Sequence, residues 1–315
     1  EINESIPFHL FALITKATLH KVVDAILGRN VDYLRSLLDR KVTPNARWPK
    51  GYSPLMYAAQ LGYIDIARLL LEYRSNVNLD SGGCTALKLA TSAGNTEMVC
   101  LLLEAGAQTD RQYQNHNTAL MLATSAGNTD IVRLLIEAGA NTDMQNINGD
   151  TALLIAVKNN NVAIVELLLA KRANINLQNH MMDTPCTASV VNGNLIILKS
   201  LLQHVDDSMR FEHINTSFMI ACCNNQKAIF EYLLACGANI NFQDDQLSRD
   251  TALMGAARTG NLEIVQLLLQ HGANIDLQGR DGFTALWYAA NFRKPDVVAF
   301  LLRSGANVKL GSTSP

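Results

Sequence analysis

The stretch TALMLATSAGNTDIVRLLIEAGA at residues 118–140 closely repeats TALKLATSAGNTEMVCLLLEAGA at residues 85–107, with 18 of 23 positions identical. The two stretches begin 33 residues apart. Residues 31–47 match residues 64–80 at the same offset, which adds a unit before the first clear opening phrase. A repeat of this length is typical of a supersecondary unit stacked on copies of itself. Nine units are predicted, and eight of them open at Ser53, Thr85, Thr118, Thr151, Thr184, Thr216, Thr251 and Thr284.

Each repeat is predicted to contain two short helices followed by a turn. Thr118 is a suitable N-cap for a first helix over Ala119–Ser125. Thr129 is predicted to cap a second helix with a wide apolar stripe, which ends at Gly139. The polar residues 141–150 then form a turn. Because such a short pair cannot bury its apolar face alone, the repeated residues are expected to contact the next copy.

The phrase T-A-L-x-x-A, followed by G-N-x-x-I-V-x-L-L-x-x-G-A-N, resembles the ankyrin repeat, whose usual opening is Thr-Pro-Leu-His. The resemblance covers about residues 20–309. It implies an all-α solenoid of stacked helix-turn-helix units with protruding turn or β-hairpin loops. The hydrogen bond that the family's His makes is missing here or supplied by another group, because no repeat has His at that position. The position holds Met56, Lys88, Met121, Leu154, Thr187, Met219, Met254 and Trp287.

The repeat pattern also sets the expected domain limits. Residues 1–19 are predicted to be a capping helix or the end of a preceding domain, residues 20–309 the ankyrin-repeat domain, and residues 310–315 a flexible tail. The array is irregular around 204–215, which lack a Gly-Ala-Asn phrase, and around 241–250, where the loop is longer. We interpret the irregularity as drift in a repeat that still stacks. The alternatives are a distinct surface and a domain boundary in the first irregular segment.

Composition argues against several classes of function. Charged residues make up 17% of the chain, the formal net charge is −2, and no basic run indicates a nucleic-acid partner. No apolar stretch approaches the roughly 18 residues that span a bilayer, so no membrane insertion is expected. The six cysteines lack C-x-x-C spacing, which fits a reducing compartment. We therefore expect a cytoplasmic location, or the host cytosol for a secreted effector, and a monomeric isolated domain.

The sequence carries no recognisable catalytic or cofactor-binding motif. It contains no P-loop, no dinucleotide-binding glycine fingerprint, no H-E-x-x-H zinc motif and no nucleophile elbow. The segment SGGC at 81–84 resembles a nucleophile loop, but its register predicts a turn. His204 and His213 flank two aspartates, an arrangement that an exposed polar loop explains better than a metal site. No enzyme activity, cofactor or metal is predicted.

The resemblance implies a binding module instead. In ankyrin repeats the inner, concave surface is built from the turn residues before the opening Thr and from the exposed end of the first helix. Aromatic residues, Met and Arg are enriched at interface hot spots, and aromatics make up only 6% of this chain. The positions predicted to bind a protein or an extended peptide are Trp48, Tyr52, Met56, Tyr57, Lys158, Asn159, Met181, Met182, Asp183, Arg258, Arg280, Asp281, Phe283, Trp287, Tyr288, Asn291, Phe292 and Arg293.

Two aromatic groups stand out among these positions, one towards each end of the array. Trp48 and Phe283 lie in turns and are predicted to contact a partner. Trp287 and Tyr288 fit a partner contact and a packing role equally well. The predicted function is a non-enzymatic scaffold that binds a protein on the concave face. The alternative is a substrate-recruiting or targeting region of a larger protein, such as a ubiquitin-ligase adaptor or a bacterial effector acting in a host cell.

Overall fold

The computed structural model describes residues 20–47, 51–243 and 249–311. Within these ranges every regular element is a helix, which confirms the all-α prediction. Internal contacts divide the chain into two compact units, residues 1–156 and 157–315, and each is described by itself.

The helices follow one another in pairs, as the repeat predicts. Three predictions lie outside the described residues: the capping helix at 1–19, most of the tail at 310–315, and the partner contact of Trp48. A short 3-10 helix covers Gln114–His116. The α-helices are α1 (20–27), α2 (Val31–Asp39), α3 (Pro54–Leu61), α4 (Ile64–Glu72), α5 (Ala86–Ser92), α6 (Thr96–Glu104), α7 (Ala119–Ser125), α8 (Thr129–Glu137), α9 (Ala152–Lys158), α10 (Val162–Ala170), α11 (Pro185–Val191), α12 (Leu195–His204), α13 (Asp207–Cys223), α14 (Lys227–Ala235), α15 (Ala252–Thr259), α16 (Leu262–Gln270), α17 (Ala285–Asn291) and α18 (Pro295–Arg303).

The opening Ser or Thr of a regular repeat caps its first helix. Thr118 Oγ1 accepts the N–H of Met121 at 3.3 Å, and the helix predicted over Ala119–Ser125 has these bounds. The prediction that Thr129 caps the second helix is wrong. Asn128 is the cap residue and Thr129 is the first helical residue, because the chain enters the helix one position earlier than expected.

The hydrogen bond of the family's histidine is supplied by other groups in at least two repeats. Met56 Sδ accepts the N–H of the cap residue Ser53 at 3.3 Å. Thr187 Oγ1 accepts the N–H of its cap residue Thr184 at 2.9 Å. Each contact folds the side chain back over the helix start. As a result Met56 is only 1% exposed, so this position serves the cap rather than the surface.

The helix pairs bury their apolar faces against each other and against the next pair. In the first unit α3 packs against α4 and α5, and in the second unit α13, α15 and α17 form a continuous row. Fully buried side chains line these contacts, among them Leu55 and Leu87 in the first unit and Phe218 and Phe230 in the second. Burying one such side chain stabilises the fold by about 1.5–3 kcal/mol. The repeated apolar positions therefore hold the stack together, as predicted.

An Asn or Asp at the base of each loop joins that loop to the next one. In the first unit Asn78 Oδ1 accepts the N–H of Gln108 at 2.8 Å. In the second unit Asn241 Oδ1 accepts the N–H of Asn274 at the same distance. We call this side chain the loop acceptor. Because a backbone donor is satisfied by a side chain of the preceding repeat, the bond fixes the spacing of successive loops.

The irregular segment 204–215 is largely helical. It is continuous with α13, a helix of 17 residues over Asp207–Cys223. The prediction that Thr216 opens a first helix is wrong, because Thr216 lies inside α13 and its Oγ1 donates to the carbonyl of Glu212 at 2.9 Å. One helix has therefore taken up both the loop base and the first helix of this repeat.

The arithmetic of the sequence explains how this helix fits the repeat period. The tripeptide His-Ile-Asn at 213–215 occupies the place of Asn-Ile-Asn at 174–176 in the preceding repeat. Seven extra residues, 206–212, precede it, and the seven residues that would correspond to 177–183 are missing after it. The insertion and the deletion cancel, so the period is preserved although two turns of helix replace the end of a loop.

Two buried side chains restore the bonds between loops at this point. The backbone N–H of His213 lies within α13, and its Nε2–H donates to the loop acceptor Asn176 at 2.7 Å instead. Asn215 is in turn the loop acceptor for the N–H of Asn239, also at 2.7 Å. His213 and Asn215 are 5% and 0% exposed. The row of loop acceptors thus continues through the helix.

This arrangement makes His213 a source of pH-dependent stability. Burial lowers the pKa of His213 from its ordinary 6.5, with Glu212 opposing the shift. The unfolded chain therefore binds the proton more readily than the folded chain does. The free energy of unfolding should be complete above about pH 6.5 and should fall as the pH drops towards the lowered pKa. Urea denaturation at a series of pH values and an NMR titration of the imidazole test both statements.

The matched control for this prediction is His213→Gln, which keeps an N–H donor and cannot titrate in this range. Its unfolding free energy should depend less on pH between 7 and 5 than that of the unmodified chain. Equal pH dependence of the two proteins would contradict the role given to His213.

Candidate functional site

Four aromatic side chains form one continuous cluster near the end of the second unit. Phe283 lies in the turn before α17, and Trp287, Tyr288 and Phe292 lie on α17 or directly after it. Phe283 stacks on Trp287, with ring centroids 3.6 Å apart and planes at 10°. Trp287 meets Tyr288 edge to face, with centroids 5.3 Å apart. Tyr288 in turn stacks on Phe292 at 6.4 Å. We call these four residues the C-terminal aromatic surface.

Tyr288 is fixed in this cluster by a carboxylate of the preceding repeat. Its Oη–H donates to Asp250 Oδ1 at 3.0 Å. Burial, together with the charge and the hydrogen bond of Asp250, raises the pKa of Tyr288 to about 12. Tyr288 is therefore a neutral donor at physiological pH, and a packing role is part of its function. Asp250 was not among the predicted residues, although its place directly before the opening Thr251 was a usable signal.

The exposed part of the cluster is apolar and has charged neighbours. Phe292 is 47% exposed, whereas Phe283, Trp287 and Tyr288 are half-buried because their ring faces cover one another. Exposed polar side chains flank the rings in the sequence and at the end of α15, namely Arg258, Arg280, Asp281, Asn291 and Arg293. An apolar centre with a polar, mainly cationic rim is the anatomy of a protein-binding patch.

The predicted N-terminal group is only partly present at the surface. Tyr52 and Tyr57 are half-buried and meet edge to face, with centroids 5.5 Å apart. The Cys84 thiol donates to Tyr52 Oη at 3.6 Å, and this bond raises the pKa of Tyr52. Met56 is a correction to the predicted surface, because its sulfur caps α3 and its side chain is buried.

A third group of predicted residues lies at the start of the second unit. Lys158 Nζ is 3.4 Å from Asp183 Oδ2, so two of the predicted positions form an ion pair. Asn159 is exposed beside Lys158. Met181 and Met182 are 81% and 68% exposed, the largest exposed fractions among the large hydrophobic side chains that the structure describes. Sequence reasoning placed these residues at the surface but gave no measure of how far they project.

Two structural searches bear on other chemistries. Across the described ranges, no group of three or more His, Cys, Asp or Glu side chains is arranged to hold a metal ion. No helix in the same ranges has both the length and the apolar character that a membrane span needs. The segment 81–84 is a turn, with N–H to carbonyl bonds of 2.9 and 3.0 Å between its first and last residues, as predicted.

Comparison with known proteins identifies the repeat. The family model described as "Ankyrin repeats (3 copies)" matches four overlapping segments, residues 19–113, 105–179, 173–244 and 218–311. These matches span most of the chain, including the irregular segment that α13 occupies.

Individual relatives match over shorter stretches. The human Ankyrin repeat and KH domain-containing protein 1 is 38% identical over 85 residues, which are 26% of this chain and 3% of that protein. The human SH3 and multiple ankyrin repeat domains protein 2 is 36% identical over 104 residues, 32% of this chain and 6% of that protein. The human Palmitoyltransferase ZDHHC17 is 48% identical over 63 residues, 19% of this chain and 10% of that protein. The chain thus spans a small part of the length of these relatives.

Proposed function

Because the chain belongs to the ankyrin-repeat family, we propose that it is a non-enzymatic module that binds a protein or an extended peptide on the concave surface of its repeats. Ankyrin repeats generally act in protein interaction, and this chain departs from the family mainly at surface positions and in α13. The C-terminal aromatic surface is the observation that carries the proposal. We place the protein in the cytoplasm, as a monomer when isolated, with no nucleic-acid partner.

The composition of this surface favours a partner segment with an apolar anchor. Trp and Tyr supply large contact areas at low cost in side-chain entropy, and Arg beside them can pair with carboxylates of the partner. Stacking within the cluster holds the rings in one arrangement before binding, which reduces the ordering cost of association. We therefore propose that the partner presents apolar side chains flanked by acidic residues.

Phe283→Ala tests the proposal. We expect about tenfold weaker partner binding, or about 1.4 kcal/mol, because the ring is part of the contact area and also orders Trp287. The free energy of unfolding should change by no more than about 1.5 kcal/mol, the worth of one aromatic pair, since Phe283 is only half-buried. The repeats serve as bait in cell lysate, a captured protein is identified by mass spectrometry, and its Kd is then measured by calorimetry.

The matched control is Phe211→Ala, which removes an exposed Phe of the same unit outside the aromatic surface. It should leave the Kd unchanged. A second bait with Trp48→Ala and Phe283→Ala together extends the test to the predicted N-terminal contact. Equal binding by all baits would refute the aromatic surface as the site, and a large loss of stability in Phe283→Ala would assign that residue to packing.

A second candidate function is a recruiting or targeting region of a larger protein, such as a ubiquitin-ligase adaptor or a bacterial effector acting in a host cell. The observation that favours it is the small share of each relative that the chain covers, because two of their names join ankyrin repeats to a KH or an SH3 domain. The activity in the name of the palmitoyltransferase is a property of that protein, of which the match covers 10%. The complete open reading frame around this chain distinguishes the two candidates.

A further inference from the structure

The loops of the regular repeats project as hairpin tips that contact one another. We define the hairpin tip as the residues between a loop acceptor and the next opening Thr, for example residues 177–183. Gln112 Nε2 donates to the carbonyl of Gln145 in the next tip at 3.0 Å. Gln243 Nε2 donates to the carbonyl of Gln278 at 2.9 Å in the same way. In a regular pair of repeats, the neighbour of a tip is therefore an extended backbone.

The tip at residues 177–183 is followed by a repeat that has no tip. In that repeat Thr216 follows the loop acceptor Asn215 directly, because α13 has taken up the loop. Gln178 stands at the position from which Gln112 and Gln243 reach the next tip. The row of tips in the second unit is thus interrupted after residues 177–183, where the Thr216 repeat supplies no backbone.

Two methionines occupy the turn of the tip that borders this interruption. Met181 and Met182 align with Asn148-Gly149 in an earlier tip and with Asp281-Gly282 in a later one. Met182 has φ of 65°, close to the values of 78° and 77° at the two glycines. A side chain in this left-handed conformation costs about 1–2 kcal/mol relative to glycine. The turn therefore carries two exposed apolar side chains at positions where a polar residue and glycine would be more stable.

These methionines are held close to a third exposed apolar residue. The Asp183 carboxylate pairs with Lys158 at 3.4 Å, and Asn192 Nδ2 donates to the carbonyl of Lys158 at 3.2 Å. The tip and the end of α11 are thus both anchored at Lys158. Val191, which precedes Asn192, is 58% exposed. We call Met181, Met182 and Val191 the methionine patch.

We infer that the methionine patch and the interruption beside it form a docking site for an extended segment of a partner protein. The backbone of that segment takes the place of the missing tip, and its apolar side chains pack on Met181 and Met182. The contacts between the chain's own tips indicate this occupant, because they show that an extended backbone fits beside a tip of this kind. Methionine suits the role, since its flexible thioether adapts to different apolar partners. The inference rests on the proposed interaction function and adds a site and a class of ligand.

The double substitution Met181→Asn with Met182→Gly separates binding from folding. It restores the Asn-Gly turn of residues 148–149, so the midpoint of unfolding should not fall and should rise slightly as the strain at position 182 is removed. The control is Ile196→Asn, which removes an equally exposed apolar side chain, 64% exposed, from α12. A random-peptide phage library is selected on the unmodified protein, and the enriched peptides are synthesised and titrated against the three proteins.

We expect enriched peptides that bind the double variant about tenfold more weakly or worse, and the Ile196→Asn control with unchanged Kd. Bound peptide should also slow the conversion of Met181 and Met182 to sulfoxide by hydrogen peroxide, as followed by mass spectrometry. Failure to enrich any peptide overturns the inference. Peptides that depend on Phe283 but not on the methionines also overturn it while leaving the proposed function intact. Self-association that the double variant abolishes, measured by sedimentation, would assign the patch to a second copy of this chain instead.

Discussion

Phe218→Ala is expected to lower the free energy of unfolding by about 3–5 kcal/mol, the range found when a buried Phe is truncated. Phe218 lies in α13, is fully buried and stacks on Phe230 of α14, with ring centroids 5.1 Å apart. The substitution removes apolar burial and the ring pair, and it leaves a cavity between helices whose spacing neighbouring repeats fix. Urea denaturation followed by far-UV circular dichroism measures the change.

Two further variants show that this cost comes from packing. Phe211→Ala truncates a Phe of the same helix that is 57% exposed and meets only Phe242 edge to face. It should cost no more than about 1.5 kcal/mol, the worth of an aromatic pair. Phe218→Leu restores the residue that Leu253 represents in the next repeat and should cost less than the Ala variant. Similar losses for the two Ala variants would mean that α13 does not pack as part of the stack.

The regular repeats could be predicted from the sequence because their structure is decided locally. The cap hydrogen bond of Thr118 reaches only three residues along the chain, and Gly139 has the positive φ of 87° expected after a helix end. Such signals recur in each repeat, so the first helices were placed with their correct bounds. The error at Thr129 was of one residue, since Thr and the preceding Asn128 are both good caps.

The helix α13 could not be found by counting the repeat period. The seven extra residues at 206–212 and the seven missing residues before Thr216 cancel, so the interval between opening residues stays normal. The usable signal was local: the His-Ile-Asn tripeptide at 213–215 stands directly before Thr216 with no turn residues between them. Thr216 was therefore taken for a cap although no loop precedes it.

The candidate surface shows the same division between local and non-local information. The sequence placed Phe283 and Phe292 near each other because both belong to one repeat, and the structure brings them into one cluster. The bond from Tyr288 to Asp250 crosses to the preceding repeat and depends on packing. The burial of Met56 follows from its sulfur capping α3, a role that only the coordinates reveal.

Asn215→Ala is expected to lower the free energy of unfolding by about 2–4 kcal/mol, because it leaves two buried polar groups without this partner. Asn215 Oδ1 accepts the N–H of Asn239, and its Nδ2–H donates to the carbonyl of Phe211, both at 2.7 Å. The side chain is fully buried, so water cannot replace either bond without a change in packing. Urea denaturation gives the loss, and amide hydrogen exchange at Asn239 should become faster.

Asn241→Ala is the matched control, because Asn241 makes the same loop-acceptor bond to Asn274 at 2.8 Å but is only half-buried. Water can reach the freed N–H, so the cost should be about 0.5–1.5 kcal/mol. A clear difference between the two variants follows if α13 has moved the loop acceptor from the surface into the core. In that case the helix that removes a hairpin tip also strengthens the joint beneath it, which allows the row of tips to be interrupted without weakening the stack. Equal costs would mean that the bond between loops is worth the same in a helix as in a loop.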